Sequence, residues 1–135
     1  NFYKKNTREK VYMLDNQIKK INPDAIFTHY QYDIHQEHND VFKITNICCR
    51  NKPISLFMWE NNLIGGLLQK QFQTNFLIKL EKVDIENKIK SWKQHKTQYR
   101  KYKSFDNLIY SKSNIWGFFC KSDNSEAFRS LKIFI

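Results

Sequence analysis

The sequence has little of what marks a fibrous, linker-like or membrane-spanning chain. Its 135 residues include only 3 glycines and 2 prolines, which excludes collagen-like repeats and low-complexity linkers. No apolar run approaches the roughly 20 residues that a helix needs to cross a bilayer, so no membrane span is expected. Hydrophobic residues make up 41% of the chain and aromatic residues 16%, which excludes a polar disordered chain. Length and composition therefore predict a single soluble domain over residues 1–135.

Cysteine is also scarce, and the 3 that occur form no disulfide framework. Cys48 and Cys49 are adjacent, and an odd count without a pairing pattern fits a reducing compartment. We therefore expect these two residues and Cys120 to pack in the interior, and we expect a cytoplasmic protein.

Acidic residues are few relative to basic ones: 13 Asp and Glu accompany 23 Lys and Arg, which gives a net charge of +10. A basic stretch with interleaved aromatic residues lies at residues 88–103. Such a stretch can track phosphates and stack bases, so a nucleic-acid-binding module is one alternative function. An amphipathic helix that buries Ile85, Ile89 and Trp92 explains the same residues. Lysine is abundant throughout the chain, so we favour the helix and do not expect a nucleic-acid partner.

Apolar periodicity predicts helices that alternate with short strands. Helices are expected from about Thr7 to Ile21, from Asn39 or Asp40 through Cys48, from Ile85 through Trp92 toward Tyr99, and from Ser104 through Leu108. Strands are expected at residues 24–30, covered on both faces, and at 54–59, 76–80 and 131–135, the last at a sheet edge. Gly65-Gly66 predicts a turn. The alternation favours an α/β, Rossmann-like layered fold with a mainly parallel sheet flanked by helices.

Three of the four histidines lie within ten positions, directly after the most strand-like segment. His29, His35 and His38 are accompanied there by Asp33 and Glu37. Open α/β sheets bind ligands beyond the carboxyl ends of their strands, and zinc prefers imidazole and carboxylate ligands. Histidines in loops are also often simply solvated. Spacing alone therefore favours a metal or catalytic site and a solvated loop about equally.

A longer match gives these residues a more specific interpretation. Residues 22–29 read Asn-Pro-Asp-Ala-Ile-Phe-Thr-His, and residues 33–38 read Asp-Ile-His-Gln-Glu-His. They resemble the second signature of the PIG-L / LmbE-like zinc-dependent N-deacetylases, which is Pro-Asp, three hydrophobic residues and Thr-His, then Asp-x-His-x-Asp-His. Other segments also resemble the family: Trp59-Glu60, Phe72, Thr74-Asn75-Phe76, Lys88, residues 95–98, Gly117 and residues 125–128. The resemblance implies a zinc cofactor and removal of an acetyl group from an N-acetylated amino sugar or related small amide.

At the matching positions the resemblance implies a role for each residue. His38 is similar to the family's third zinc ligand, and His35 to the catalytic histidine whose imidazolium stabilises the tetrahedral oxyanion. Glu37 stands where the family has aspartate, and it is expected to orient and charge His35. Asp33 and His29 match positions that line the pocket, so they are expected to bind the substrate.

The family's first signature, His-Pro-Asp-Asp-Glu, does not occur in the sequence. That signature supplies two zinc ligands and the general base, so the chain resembles the C-terminal part of the deacetylase domain. His38 is then the one ligand with family support, and we expect residues 1–135 alone to bind zinc weakly. Association with a missing N-terminal segment, or a homo-oligomer, is the expected arrangement. A catalytically inactive relative is another alternative.

Overall fold

The computed structural model describes residues 4–60, 72–102 and 104–134, which form an α/β protein with a mixed sheet and flanking helices. The elements are α1 Thr7–Ile21, β1 Ala25–His29, α2 Gln36–Cys49, β2 Ser55–Trp59, β3 Phe76–Leu80, α3 Lys82–Gln94, α4 Lys96–Lys101, α5 Phe105–Cys120 and β4 Asn124–Lys132. The strands are hydrogen-bonded in the order β1-β2-β4-β3. None of the helices in these described ranges is both long and apolar enough to span a membrane.

The chain divides into two compact units, residues 1–75 with 128–135 and residues 76–127. The interpretation of residues 1–135 as one domain stays a prediction. The turn predicted at Gly65-Gly66 lies outside the described residues.

In the first unit, helix α1 has an asparagine cap at each end. The Asn6 side chain accepts a hydrogen bond from the Glu9 backbone at 3.0 Å, and the Glu9 carboxylate accepts one from the Asn6 backbone at 3.0 Å. Asn22 adopts the left-handed conformation with φ 48°, and its N–H donates to the Ile18 carbonyl at 2.8 Å. The predicted helix from Thr7 to Ile21 is therefore confirmed.

One apolar core joins α1 and α2 to the first two strands. Its buried members are Ile18, Ile44, Cys48, Cys49, Ile54 and Leu56. Burial raises the pKa of the Cys48 and Cys49 thiols, which suppresses the reactive thiolate. The prediction that these two cysteines pack in the interior is confirmed, whereas Cys120 is half-buried.

The sheet combines both strand directions. β1 and β2 pair in parallel, with Ala25 opposite Ser55 and His29 opposite Trp59. β4 pairs with β2 antiparallel, with Trp59 opposite Phe128. The prediction of a mainly parallel sheet is therefore wrong. Side-chain alternation shows which face a strand buries, but it does not encode the direction of the neighbouring strand.

The last strand is longer than the sequence pattern predicts, and it does not lie at an edge of the described sheet. It runs over Asn124–Lys132 and stands between β2 and β3. Ser125 is only 1% exposed and Ala127 only 6%. Because these buried side chains are small, a pattern of large apolar residues does not identify this strand. β1 occupies an end of the strand order instead, and Phe27 is 44% exposed, so the expectation that β1 is covered on both faces is also wrong.

The second unit packs its helices around Ile85, Ile89 and Ile109. The predicted burial of the first two on an amphipathic helix is confirmed. His95, with φ −77° and ψ 63°, ends α3 and separates it from α4, so the predicted continuous run toward Tyr99 is interrupted. α5 extends to Cys120, well beyond the predicted end at Leu108.

Two lysines of the basic stretch are paired with carboxylates of the same unit. Lys88 forms an ion pair with Glu126, and Lys93 lies 3.0 Å from Asp106. Lysines held by carboxylates are less available to phosphates. The absence of a nucleic-acid partner stays a prediction.

Gly117 is a point of close backbone approach in the second unit. A Cβ atom at this position would lie 2.6 Å from the Ser122 carbonyl oxygen and 2.7 Å from that of Asp123. Because both are backbone atoms, neither can rotate away as a side chain would. The Ser122 N–H also donates to the Gly117 carbonyl at 3.0 Å, which holds the turn against the helix.

Gly117→Ala is expected to lower the free energy of unfolding by about 1–3 kcal/mol because the added methyl overpacks this contact. Glycine to alanine inside a helix ordinarily raises stability by about 1 kcal/mol, so the sign is diagnostic. Denaturant unfolding measures the change. Ser111→Ala, at an exposed position of α5, is the matched control and should stay within about 0.5 kcal/mol. A more stable Gly117→Ala protein would contradict the close approach.

Candidate functional site

Three histidines and an aspartate converge where β1 passes into α2. His29 is the last residue of β1, His35 is the N-cap of α2, and His38 lies in its first turn. The helix begins at Gln36 rather than at the predicted Asn39 or Asp40. His38 therefore belongs to a helix and not to a loop.

Asp33 accounts for the earlier helix start. Its Oδ1 accepts the His35 backbone N–H at 2.8 Å, a local side-chain-to-backbone turn that sets the chain direction into α2. Its own N–H donates to the Tyr30 carbonyl at 3.1 Å. Its Oδ2 lies 2.9 Å from His38 Nδ1. Asp33 is only 4% exposed, and a carboxylate so buried requires hydrogen bonds of this kind.

The imidazole rings form a stack with His38 in the middle. The ring centroids of His29 and His38 are 4.0 Å apart, with an interplanar angle of 1°. Those of His35 and His38 are 4.4 Å apart, at 25°. Trp59 packs edge-on against His29 at 4.9 Å, because the parallel register places these two residues opposite each other.

One nitrogen of His29 has no hydrogen-bond partner in the part of the chain that the structure describes. This atom is Nδ1, and it is buried. Burial lowers the pKa of His29, and the neighbouring His38 and His35 lower it further while Asp33 opposes them. The neutral imidazole that results is the form that binds metal ions.

The side chains of His29, Asp33 and His38 each offer a ligand atom, and these atoms all lie within 4.8 Å of one another. Two imidazoles and a carboxylate form a donor set that suits zinc. His35 adds an exposed third imidazole beside this group. The structure thus brings together four of the five residues that the sequence predicts for the site.

Glu37 is the fifth residue, and it does not join the group. Its side chain is exposed, and it makes no hydrogen bond or ion pair with the residues that the structure describes. Its role in orienting His35 stays a prediction. His35 is fixed by the hydrogen bond that its backbone N–H donates to Asp33 Oδ1, and this bond does not involve the ring.

A cavity of about 560 Å³ lies beside the histidines. It is lined by Met13, Leu14, Asn16, Gln17, Ile26, Phe27, Thr28, His29, Val41, Ile44, Thr45 and Trp59. Its volume is in the range of small-molecule pockets. The sequence pattern assigned α1 to the core alone and gave Trp59 no role in the site. The pairing of two parallel strands, with His29 opposite Trp59, is the signal that links Trp59 to the site.

No family model and no curated protein matches the sequence. The fold is similar to the crystal structure of the conserved protein TT1542 from Thermus thermophilus, with a TM-score of 0.68 and 18% sequence identity. The similarity covers 94% of this chain and 60% of that one, so the chain spans about three fifths of its length. At this identity the likeness shows a shared α/β fold.

Asp33→Ala is expected to lower the free energy of unfolding by about 2–4 kcal/mol, because it removes two hydrogen bonds to a buried charge. Glu37→Ala, which deletes an exposed carboxylate in the same segment, should change it by no more than about 0.5 kcal/mol. Urea denaturation of the metal-free protein measures both changes. Equal effects of the two substitutions would show that Asp33 does not organise the segment.

Proposed function

We propose that the protein is a zinc-dependent hydrolase that removes an acetyl group from an N-acetylated amino sugar or a related small amide. The observation that carries the proposal is the placement of the His35 and His38 rings, 4.4 Å apart and beside the buried Asp33, in the segment that resembles the deacetylase signature. Membership of the PIG-L / LmbE-like family, a Rossmann-like relationship of the fold and a cytoplasmic location are parts of the same proposal.

The donor chemistry of the cluster fits zinc. Imidazole nitrogen and carboxylate oxygen are its common ligands, and the buried His29 Nδ1 has no partner among the described residues. His38 is the ligand that the resemblance implies. Zinc bound there supplies a Lewis acid for the amide carbonyl and a bound water with a pKa near 7.

His35 is the residue proposed to act on the substrate. Its ring is exposed while its backbone is fixed by Asp33, so the imidazole can meet a substrate without leaving its place beside His38. An imidazolium there would stabilise the negative charge that develops on the carbonyl oxygen. Glu37, on the same exposed turn, is proposed to orient that ring when substrate is bound.

The cavity supports a small substrate. Ile26 and Ile44 give its wall an apolar part that suits an acyl group, while Asn16, Gln17 and Thr45 offer amide and hydroxyl groups to polar substituents. His29 and Trp59 line both the cavity and the histidine group, so a ligand in the cavity would lie next to the proposed zinc ligand. A small amphipathic amide matches this combination.

The general base of the family belongs to the first signature, which has no counterpart in the sequence. We therefore propose that a carboxylate from a further segment or from a second chain completes the reaction. The residues of this chain would bind zinc, orient the substrate and stabilise the oxyanion. The added carboxylate would take the proton from water.

In the intact protein, His38→Ala is expected to lose bound zinc, because it removes a ligand. His35→Ala should retain zinc and lower kcat by about 10²–10³-fold, because an oxyanion donor acts chiefly in the transition state. Metal analysis and release of free amine from a panel of N-acetylated amino sugars measure the two effects.

His95→Ala is the control for removal of an imidazole, since His95 lies at the exposed junction of α3 and α4. It should change neither zinc content nor turnover. Equal zinc loss in the His35 and His38 variants would contradict the division of roles. A zinc-loaded protein that releases no amine from any substrate of the panel would contradict the function.

A further inference from the structure

We propose that the last two turns of α5 form a docking surface for a membrane that contains anionic lipids. The surface is an apolar patch of exposed or half-buried side chains, Ile115, Trp116, Phe118 and Phe119. It attaches the protein to one face of a bilayer without crossing it. The α5 patch shares no residue with the histidine site, so the proposal goes beyond the hydrolase function and does not rest on it.

α5 presents apolar side chains on two opposite faces. One face is buried in the second unit at Ile109 and Gly117. On the other side of the helix, Ile115, Phe118 and Phe119 follow the i, i+3, i+4 spacing of a single face. Their exposed fractions are 54%, 81% and 65%. A helix that packs one face on a protein core normally turns a polar face to water, so the second apolar face indicates a partner.

The aromatic rings of the α5 patch form a cluster on the outside of the helix. The ring centroids of Phe118 and Phe119 are 5.7 Å apart at 82°, and those of Trp116 and Phe119 are 6.0 Å apart at 42°. A protein partner needs a matching pocket for each projecting ring, whereas fluid acyl chains accommodate such rings directly. Tryptophan beside them is typical of the boundary between head groups and acyl chains.

The charge around the α5 patch determines which kind of membrane it suits. Lys112 lies one turn before Ile115, and Lys121 follows the helix as its left-handed C-cap with φ 52°. Residues 107–122 include these two lysines and no acidic residue. The second unit contains 11 Lys and Arg and 6 Asp and Glu. Anionic lipids attract such a surface, whereas a second copy of this chain, with its net charge of +10, is repelled by it.

The test is co-sedimentation of the protein with vesicles of equal parts phosphatidylserine and phosphatidylcholine. Binding is expected, and it should be at least about 10-fold weaker to vesicles of phosphatidylcholine alone and fall as the salt concentration rises. Phe118→Ala combined with Phe119→Ala should weaken binding at least about 10-fold, because it removes the apolar area that enters the bilayer. The matched control, Tyr12→Ala with Ile21→Ala, removes two similarly exposed side chains from α1 and should stay within about twofold.

A second pair of variants separates charge from apolar contact. Lys112→Gln with Lys121→Gln should weaken binding to the anionic vesicles at least about threefold. Lys112→Arg with Lys121→Arg keeps both charges and should retain the binding. Circular dichroism establishes that each variant is folded. The helix end itself depends on the backbone, because the Lys121 N–H donates to the Phe118 carbonyl at 3.3 Å, so loss of the Phe118 ring leaves this bond in place.

Phe118→Trp gives a readout that is independent of affinity. With anionic vesicles, the added indole should shift its fluorescence emission to shorter wavelength, and lipids with brominated acyl chains should quench it, because the ring enters the hydrocarbon region. Tyr12→Trp, at an exposed position of α1, should show neither effect beyond that of the wild-type tryptophans.

Vesicle binding that is unchanged when Phe118 and Phe119 are both alanine overturns the proposal, as does the absence of binding to anionic vesicles by the folded protein. Binding without quenching of Phe118→Trp by brominated lipids also overturns it, since the protein then adsorbs by charge alone. A dimer that dissociates in the double alanine variant, with no vesicle binding, would assign the α5 patch to a second copy and reject the membrane.

Discussion

The carboxylate of Asp33 is buried at the corner where β1 passes into α2, and the arrangement of the candidate site depends on how that charge is satisfied. Its two oxygens meet the His35 backbone N–H and the His38 ring nitrogen at 2.8 and 2.9 Å. The beginning of a helix also carries partial positive charge, which favours an anion there. One side chain therefore sets the start of α2, fixes the backbone of His35 and positions His38.

The pairing of β1 with β2 supplies the other half of the site. A parallel register aligns the carboxyl ends of both strands, so His29 and Trp59 meet at the same edge. His29 stacks on His38 from the strand, while His38 approaches from the helix. The imidazoles thus come from two elements, and the short segment between those elements contributes the carboxylate that lies between them.

The proposed reaction gives different roles to the residues between His29 and His38. His38 is proposed to bind zinc and His35 to act on the substrate, while Asp33 forms hydrogen bonds with both residues. The first signature, which supplies the general base of the deacetylase family, does not occur in the sequence. Under the proposed function, zinc binding and catalysis would be separable, because the added carboxylate serves the proton transfer and not the binding of the ion.

Apolar spacing and cap chemistry act locally, and they determined α1, β2, β3 and the core-facing side of α3 from the sequence alone. The histidine cluster was also visible there, because its members lie within ten positions. Strand direction, the length of β4 and the start of α2 were not visible. These features depend on residues that the spacing of apolar side chains does not identify. Examples are Ser125 in a buried strand and Asp33, which precedes α2 and binds the His35 backbone. Only the tertiary structure could place the His29 ring against the His38 ring, because that contact arises from a strand and a helix meeting at one corner.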